Sequence, residues 1–424
     1  MTTINSIGTA TGASSTVLMG AGVGTVPVFS ATTYPNTVSF NNVLYASGSN
    51  AVSGLASLAG GVLVTNNFST PVMMALTTGQ VLIGSTGNQP LAVTYPGLNR
   101  IINGDMQVWQ RSSGGTASFG VGASTTRYTA DRWQVSVGAN EASTVSQIAG
   151  ATSGRYYAQI QRNNGQTGTA TMYFCTSLTR DMCVGVSGNV VSLTFTYLCG
   201  ANFSPAGQNF TVQVFTGTGS TDISGLNGAF TGSTAIINQA LAASTSATTT
   251  TKISSAAGAS VTQVAVQFSW VPVGTAGAND WIEFTDVQLE VSPNGTPFQR
   301  VPFGEQWTNC QRFYQKSFPY ATSPAQNVGV GTGELRGEVT AAATTTNNIF
   351  LNNFPMMLAT PTVSTFSPAA ATSQMYNITA AAACTGTATA NVTPNSLQIT
   401  ATGPAGGAVT NTVGVHVTLE ADVT

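Results

Sequence analysis

What constrains this chain most is where its charges are missing. Residues 1–99 contain no Asp, Glu, Lys or Arg; the first charge is Arg100, and after Glu338 none appears until Glu420. Strand edges without charges have nothing to stop them pairing with other chains, so such a segment has to be covered by something. Charged residues make up 6% of the 424 residues, against about 25% in an average soluble protein. With 42% hydrophobic residues and a net charge of −2, the chain does not have the composition of a disordered one. A chain this long and rich in Thr, Val and Gly predicts two or three all-β domains stabilised by assembly.

Several function classes are set aside by the same reading. A balance of 12 basic to 14 acidic residues argues against nucleic acid as a partner, because phosphate binding needs a basic surface. No run of about 18 apolar residues is present, so no membrane insertion is expected. The opening MTTINSIGTATG has neither a basic nor an apolar region, and no secretory signal is expected. The five cysteines (Cys175, Cys183, Cys199, Cys310, Cys384) include no C-x-x-C pair, so they predict reduced, buried thiols made in a reducing cytoplasm. There is no G-x-S-x-G elbow or phosphate-cradling loop, and the one histidine, His416, lies in an alternating run that reads as structural. A glycosidase needs two carboxylates about 5–10 Å apart. The acids are densest at Asp280, Glu283, Asp286 and Glu290; Asp286 and Glu290 share a strand face opposite Val287 and Leu289, and this reads as a solvated strand face. No enzyme is expected.

Residues 1–98 carry a repeat. Val-Leu recurs at residues 43, 62 and 81, so the spacing is 62 − 43 = 19 and 81 − 62 = 19. Each unit has an apolar burst, a small polar turn and a second apolar patch, with Pro71 and Pro90 in matching places. Two short strands per unit fit this pattern better than helix. Such units cannot bury their own apolar faces and must stack on neighbours or on other chains. An intertwined homotrimer is expected, with a single-chain β-solenoid cap as the alternative.

Residues 99–304 predict a central antiparallel β-sandwich of the jelly-roll kind. Ile101, Ile102, Met106, Val108 and Trp109 mark a first strand with a turn or bulge at Asn103-Gly104-Asp105. Further strands are expected within 128–137, 156–162, 190–199, 210–216, 261–273 and 281–291. Residues 217–258 have little apolar periodicity and predict a long excursion. Within 305–322 a short connector helix is expected, with Trp307, Cys310 and Tyr314 on one face and Pro319 as its stop. Residues 323–424 predict a small C-terminal β-sandwich.

The units VLYASGSNAVSGLA and GQVLIGSTGNQPL resemble repeats in the N-terminal parts of bacteriophage tail-fibre and tail-tip proteins. NGDMQVW and FTDVQLEV resemble the opening and closing strands of galactose-binding-like carbohydrate-binding jelly rolls. The series NRIINGDMQVWQR, YTADRW, FTDVQLEV and TPFQRVPFGEQWTNCQRFYQKS resembles a family of phage and prophage tail proteins over residues 99–317, and FPMMLATPTVS resembles the segment that follows in that family.

The family resemblance implies a trimeric virion protein made in the bacterial cytoplasm. Its N-terminal region would meet other tail or baseplate proteins, and its loops would meet a host cell-surface glycan or outer-membrane receptor. A purely structural virion component, such as a head-decoration fibre or baseplate protein, is the second reading, and a glycan-degrading tailspike the third. Asp131, Arg132, Trp133, Arg312 and Tyr314 match the family's D-R-W and C-Q-R-Y/F-Y words and read as architectural. If the ligand is a glycan, exposed members of Trp109, Tyr128, Tyr156, Tyr157, Trp270, Trp281 and Tyr376 would stack on sugar rings, most of the set being core. No cofactor is expected. The jelly-roll resemblance raises a structural calcium, with Asp105, Asp286 and Glu290 as its donors; otherwise Asp105 caps a turn and Asp286 pairs with Arg132 or a backbone N–H.

Overall fold

The structure, a computed structural model, describes residues 16–20, 25, 27–34, 40–66, 68–76, 80–84, 89–94, 99–112, 118–150, 155–204, 209–339, 346–404 and 410–422. The opening MTTINSIGTATG lies outside them. The chain forms two compact units, Met1–Pro96 and Gly97–Thr424. Among the described residues it is all-β apart from one short α-helix and brief 3-10 turns.

The first unit holds β1 (Thr16–Met19), β2 (Val28–Thr33), β3 (Val43–Gly48), β4 (Ala51–Leu55), β5 (Gly61–Thr65), β6 (Pro71–Ala75), β7 (Gln80–Ile83) and β8 (Leu91–Thr94). Each 19-residue repeat is one antiparallel hairpin, β3/β4, β5/β6 or β7/β8, with Val43 opposite Leu55, Val62 opposite Met74 and Val81 opposite Val93. Pro71 opens β6 and Pro90 directly precedes β8, positions where a missing N–H costs no ladder bond. β1 to β4 form one sheet in the order β1-β2-β4-β3. Ser30 is the only buried residue among those described in this unit. Phe40 is 99% and Phe68 81% exposed, and Leu44, Leu63 and Leu91 also face solvent.

The second unit begins with β9 (Ser118–Val121), β10 (Thr125–Tyr128), β11 (Gln134–Val137), β12 (Ser143–Ala149), β13 (Tyr156–Arg162), β14 (Met172–Ser177), β15 (Ser192–Cys199), β16 (Asn209–Gly217), β17 (Thr234–Ala242), β18 (Thr248–Ile253), β19 (Gln263–Trp270) and β20 (Trp281–Glu290). They form two six-stranded sheets, β10-β11-β14-β19-β16-β17 and β18-β15-β20-β13-β12-β9, antiparallel throughout, which make the jelly-roll sandwich. Alternation supplies the core: Val264, Val266 and Phe268 of β19 and Ile282 and Phe284 of β20 are buried, with the Phe268 and Phe284 rings stacked at 4.1 Å. The other face of β19 is covered as well. Gln263 donates to Thr221 O at 2.7 Å, the Asn227 N–H donates to Gln267 at 2.6 Å, and Phe230 packs on Ala265. The 218–230 loop is thus bonded onto the sheet.

Three expectations are corrected here. Residues 99–111 form no strand but a buried irregular segment in which Asn103 and Met106 take left-handed backbone angles. The Asn103 side chain replaces ladder partners, bonding Val108 N and O and Asp131 O. At Gly104 a Cβ would lie 2.1 Å from Val287 O, so only glycine fits. Residues 217–258 include β17 and β18, which close opposite sheets as edge strands. Their largely solvated faces explain the missing periodicity. Asp280, Glu283 and Glu290 are buried, not on a solvated face. Asp280 pairs with Arg162 at 2.8 Å, Glu283 accepts from Gln159 at 2.7 Å, and Glu290 accepts from Thr296 N at 2.9 Å. The central position of β20 buries Glu283, the 292–300 loop covers Glu290, and Arg162 and Ser204 enclose Asp280.

The chain continues through α1 (Phe303–Gln311) to β21 (Tyr314–Lys316), β22 (Leu335–Glu338), β23 (Thr346–Asn352), β24 (Thr362–Phe366), β25 (Tyr376–Asn377), β26 (Ala382–Ala383), β27 (Thr385–Thr393), β28 (Ser396–Thr402) and β29 (Thr412–Glu420). The helix starts at Phe303, the first residue of the FGEQWTNCQRFYQK stretch, and stops at Gln311. Tyr314 leaves the expected helical face for β21, whose backbone is taken up by the β29 ladder at Glu420. β29 is the spine of the second sandwich, pairing with β21, β22, β24 and β25, and the β23-β28-β27 sheet shares its core.

Candidate binding cleft

The two sandwiches of the second unit meet at a buried charge cluster. Arg111, at the end of the irregular segment, bonds Asp131 at 3.0 Å, Glu420 at 3.1 Å and Asp422 at 2.5 Å. Arg132 bonds the other oxygen of Asp422 and also Ser177 O. Its guanidinium lies 3.8 Å from the Phe313 ring centre, and that of Arg111 lies 4.1 Å from the Tyr314 ring centre. Arg132 has φ 72°, a left-handed angle that costs a non-glycine residue about 1–3 kcal/mol and persists only where its surroundings hold it. Burial pulls the Arg111 pKa down, but Asp422, Asp131 and Glu420 outweigh it and hold the guanidinium charged. Burial pushes Asp131 up, against Arg111 and the Gln110 N–H. With a fixed cation at 3.0 Å, Asp131 acts as its counter-ion, the direction set by Arg111.

On the solvent side of this cluster is a cleft of about 860 Å³, inside the range of roughly 300–1,000 Å³ usual for small-molecule sites. β10 and β11 contribute Thr126, Arg127, Tyr128 and Gln134, and the 218–230 loop contributes Ile223, Ser224, Leu226 and Ala229. The second sandwich contributes Tyr314, Pro324, Phe366, Thr418 and Glu420, and Arg111 forms the remaining wall. Ser224 Oγ donates to Gln134 at 2.8 Å, which ties the loop wall to the strand wall. Arg127 is exposed, donates to Gly120 O at 3.0 Å and lies 4.7 Å from the Phe119 ring centre. Burial and the nearby Arg111 lower its pKa. Burial raises the phenol pKa values of Tyr128 and Tyr314, so both rings stay neutral.

Of the aromatic candidates, Trp109, Tyr128, Tyr157 and Trp270 are buried, while Tyr156, Trp281 and Tyr376 are half-buried. Tyr128 alone of the seven lines the cleft. Asp131, Arg132, Trp133 and Tyr314 are buried at the junction, whereas Arg312 is a partly exposed partner of Asp181 at 2.8 Å. The three calcium candidates do not come together: among the described residues no group of three His, Cys, Asp or Glu could hold a metal ion. Asp286 pairs not with Arg132 but with Arg155 at 2.9 Å and Arg300 at 3.4 Å, because Asp422 takes Arg132. Asp105, in the 102–105 turn, accepts from Gln107 and from its own backbone N–H, and burial raises its pKa. His416 is fully buried, bonded to Ser317 and Thr332 at 3.0 and 2.9 Å and stacked on Phe318. All five cysteines are free and buried.

Sequence reading missed Arg111, Arg127, Gln134, Ser224 and Glu420 as cleft residues. One signal existed: Glu420 and Asp422 are the only charges after Glu338, and acids in so neutral a stretch need cations from elsewhere.

No protein-family model matches the chain, and no curated protein matches its sequence. Among solved structures it is similar to a CBM4 module, 17% identical over 45% of this chain and 98% of that one, with a TM-score of 0.26. It is also similar to the CBM22-1 xylan-binding domain of Paenibacillus barcinonensis Xyn10C, 14% identical over 42% and 99% of the two chains, with a TM-score of 0.26. A third similarity is to the enzymatically active domain of tailspike protein 4 of bacteriophage CBA120, 8% identical over 45% of this chain and 21% of that one, with a TM-score of 0.26.

Proposed function

We propose that this chain is a virion protein of a bacterial virus, a tail-fibre or tail-tip adhesin that attaches the particle to a glycan on the host surface and works as a homotrimer. The observation that carries the reading is the open cleft of about 860 Å³ between the two sandwiches. It combines half-buried apolar side chains with hydroxyl, amide and charged groups, the mixture of apolar walls and a few polar groups found in small-molecule sites. The ordered motif series from Asn99 to Ser317 supports the tail-protein side of the proposal. Exposed Phe40 and Phe68 in a charge-free unit support assembly with identical copies and docking on other virion proteins. Three weak sites per trimer then act together through avidity. One carboxylate, Glu420, lines the cleft, whereas glycoside cleavage uses two, so the reading is binding.

A purely structural virion component is the second reading, because the exposed apolar hairpins of the first unit would equally pack against neighbours in the particle. Labelled full-length protein, added to host cells before and after their surface polysaccharide is stripped, separates the two. Saturable binding that disappears with the polysaccharide is expected. Folded protein that binds no permissive cell would leave the structural reading.

A further inference from the structure

We propose that the cleft binds a short oligosaccharide bearing a carboxylate, with the acid group seated on Arg127. This inference rests on the attachment reading above and names the ligand class for the same cleft. Two arginines are among the residues that line the walls. Arg111 is committed, with three carboxylates at 2.5–3.1 Å. Arg127 has no carboxylate within ion-pair distance among the described residues, which include every Asp and Glu of the chain. It is nonetheless held in place by Gly120 O and the Phe119 ring, so a ligand acid would meet a guanidinium whose position is already set. A planar fork of donors suits a carboxylate, which it can bind through two parallel hydrogen bonds.

The remaining walls suit a sugar. Ile223, Leu226, Pro324 and Phe366 are half-buried apolar surfaces for the C–H faces of rings. Glu420, its charge countered by Arg111, keeps an oxygen to accept from ring hydroxyls, and Thr126 and Gln134 add neutral polar groups. One uncommitted cation matches a monoanion and falls short of what a phosphate dianion asks for.

The test is calorimetric titration of the full-length protein with hexuronate and sialate oligosaccharides, each beside its carboxyl-reduced neutral counterpart, and with a sulfated oligosaccharide. A carboxylated member should bind, and its reduced counterpart should bind about tenfold or more weakly. Arg127→Ala should lose affinity by a similar factor with only a small fall in melting temperature, from its exposed contacts with Gly120 O and Phe119, and Arg127→Lys should recover part of the affinity. The proposal fails if no carboxylated member binds, if the reduced forms bind as well, if only the sulfated one binds, or if Arg127→Ala binds unchanged. Cell attachment is measured in parallel. Attachment that survives Arg127→Ala, with no acidic glycan bound, removes this assignment and leaves the adhesin reading. Arg127-dependent glycan binding without cell attachment does the reverse.

Discussion

Asp422 holds two buried arginines at once, Arg111 through one oxygen and Arg132 through the other. Its side chain is fully buried, so removing it leaves guanidinium charge uncompensated inside the protein. Breaking a buried pair in this way costs about 3–5 kcal/mol. Asp422→Ala is expected to lower the urea midpoint by a corresponding amount, whereas truncating the partly exposed Asp181, the partner of Arg312, should change it by no more than about 1 kcal/mol. The architectural reading of Asp131, Arg132 and Trp133 rests on the resemblance of their D-R-W word to a tail-protein motif, and all three are buried, in the turn between β10 and β11. The partner of Arg132 was not legible. It lies 290 residues away, and nothing local distinguishes it from the nearer Asp286.

At the scale of elements, the strands whose faces alternate cleanly, such as β13 and β19, were legible, and those at sheet edges were not. β20 shows an intermediate case. Its buried apolar residues fall at 282, 284, 287 and 289, a phase break of one residue. The register shift against β15 and the left-handed angle at Asp286 absorb it as a bulge. The segment 99–111 misled because its apolar spacing is that of a strand while its hydrogen bonds come from the Asn103 side chain.

The turn before β22 carries a pH dependence. Gly329, Gly331 and Gly333 take positive φ there, and Glu334 accepts from Gly331 N and Thr332 N and pairs with Arg336 at 2.6 Å. Burial pushes its carboxyl up, but these donors outweigh it and hold the pKa at about 2 against an ordinary 4.5. A depressed folded pKa contributes stability above about pH 4.5 that is lost as pH falls through about 2, up to about 3 kcal/mol. Glu334→Gln should therefore flatten the acid limb of a stability-against-pH curve in that window. The cost of His416, whose pKa burial lowers, begins at higher pH, below 6.5, and should remain.

For the whole molecule, the two short strands of each 19-residue repeat were legible, while the cleft was not, because its walls come from segments as far apart as Thr126 and Glu420. On the proposed trimeric reading, Phe40→Ser with Phe68→Ser should shift full-length protein from trimer toward monomer in light scattering coupled to size exclusion, with little effect on the melting of the second unit. The distance from Arg132 to Asp422 has a further consequence, one of timing. At about 5–20 residues per second, the ribosome needs roughly 15–60 s to make the 290 residues between them. Until Asp422 emerges, the nascent chain holds Arg132 without its carboxylate partner, so the junction between the sandwiches cannot close. A chain cut before Asp422 would keep that guanidinium at the seam without its counter-ion.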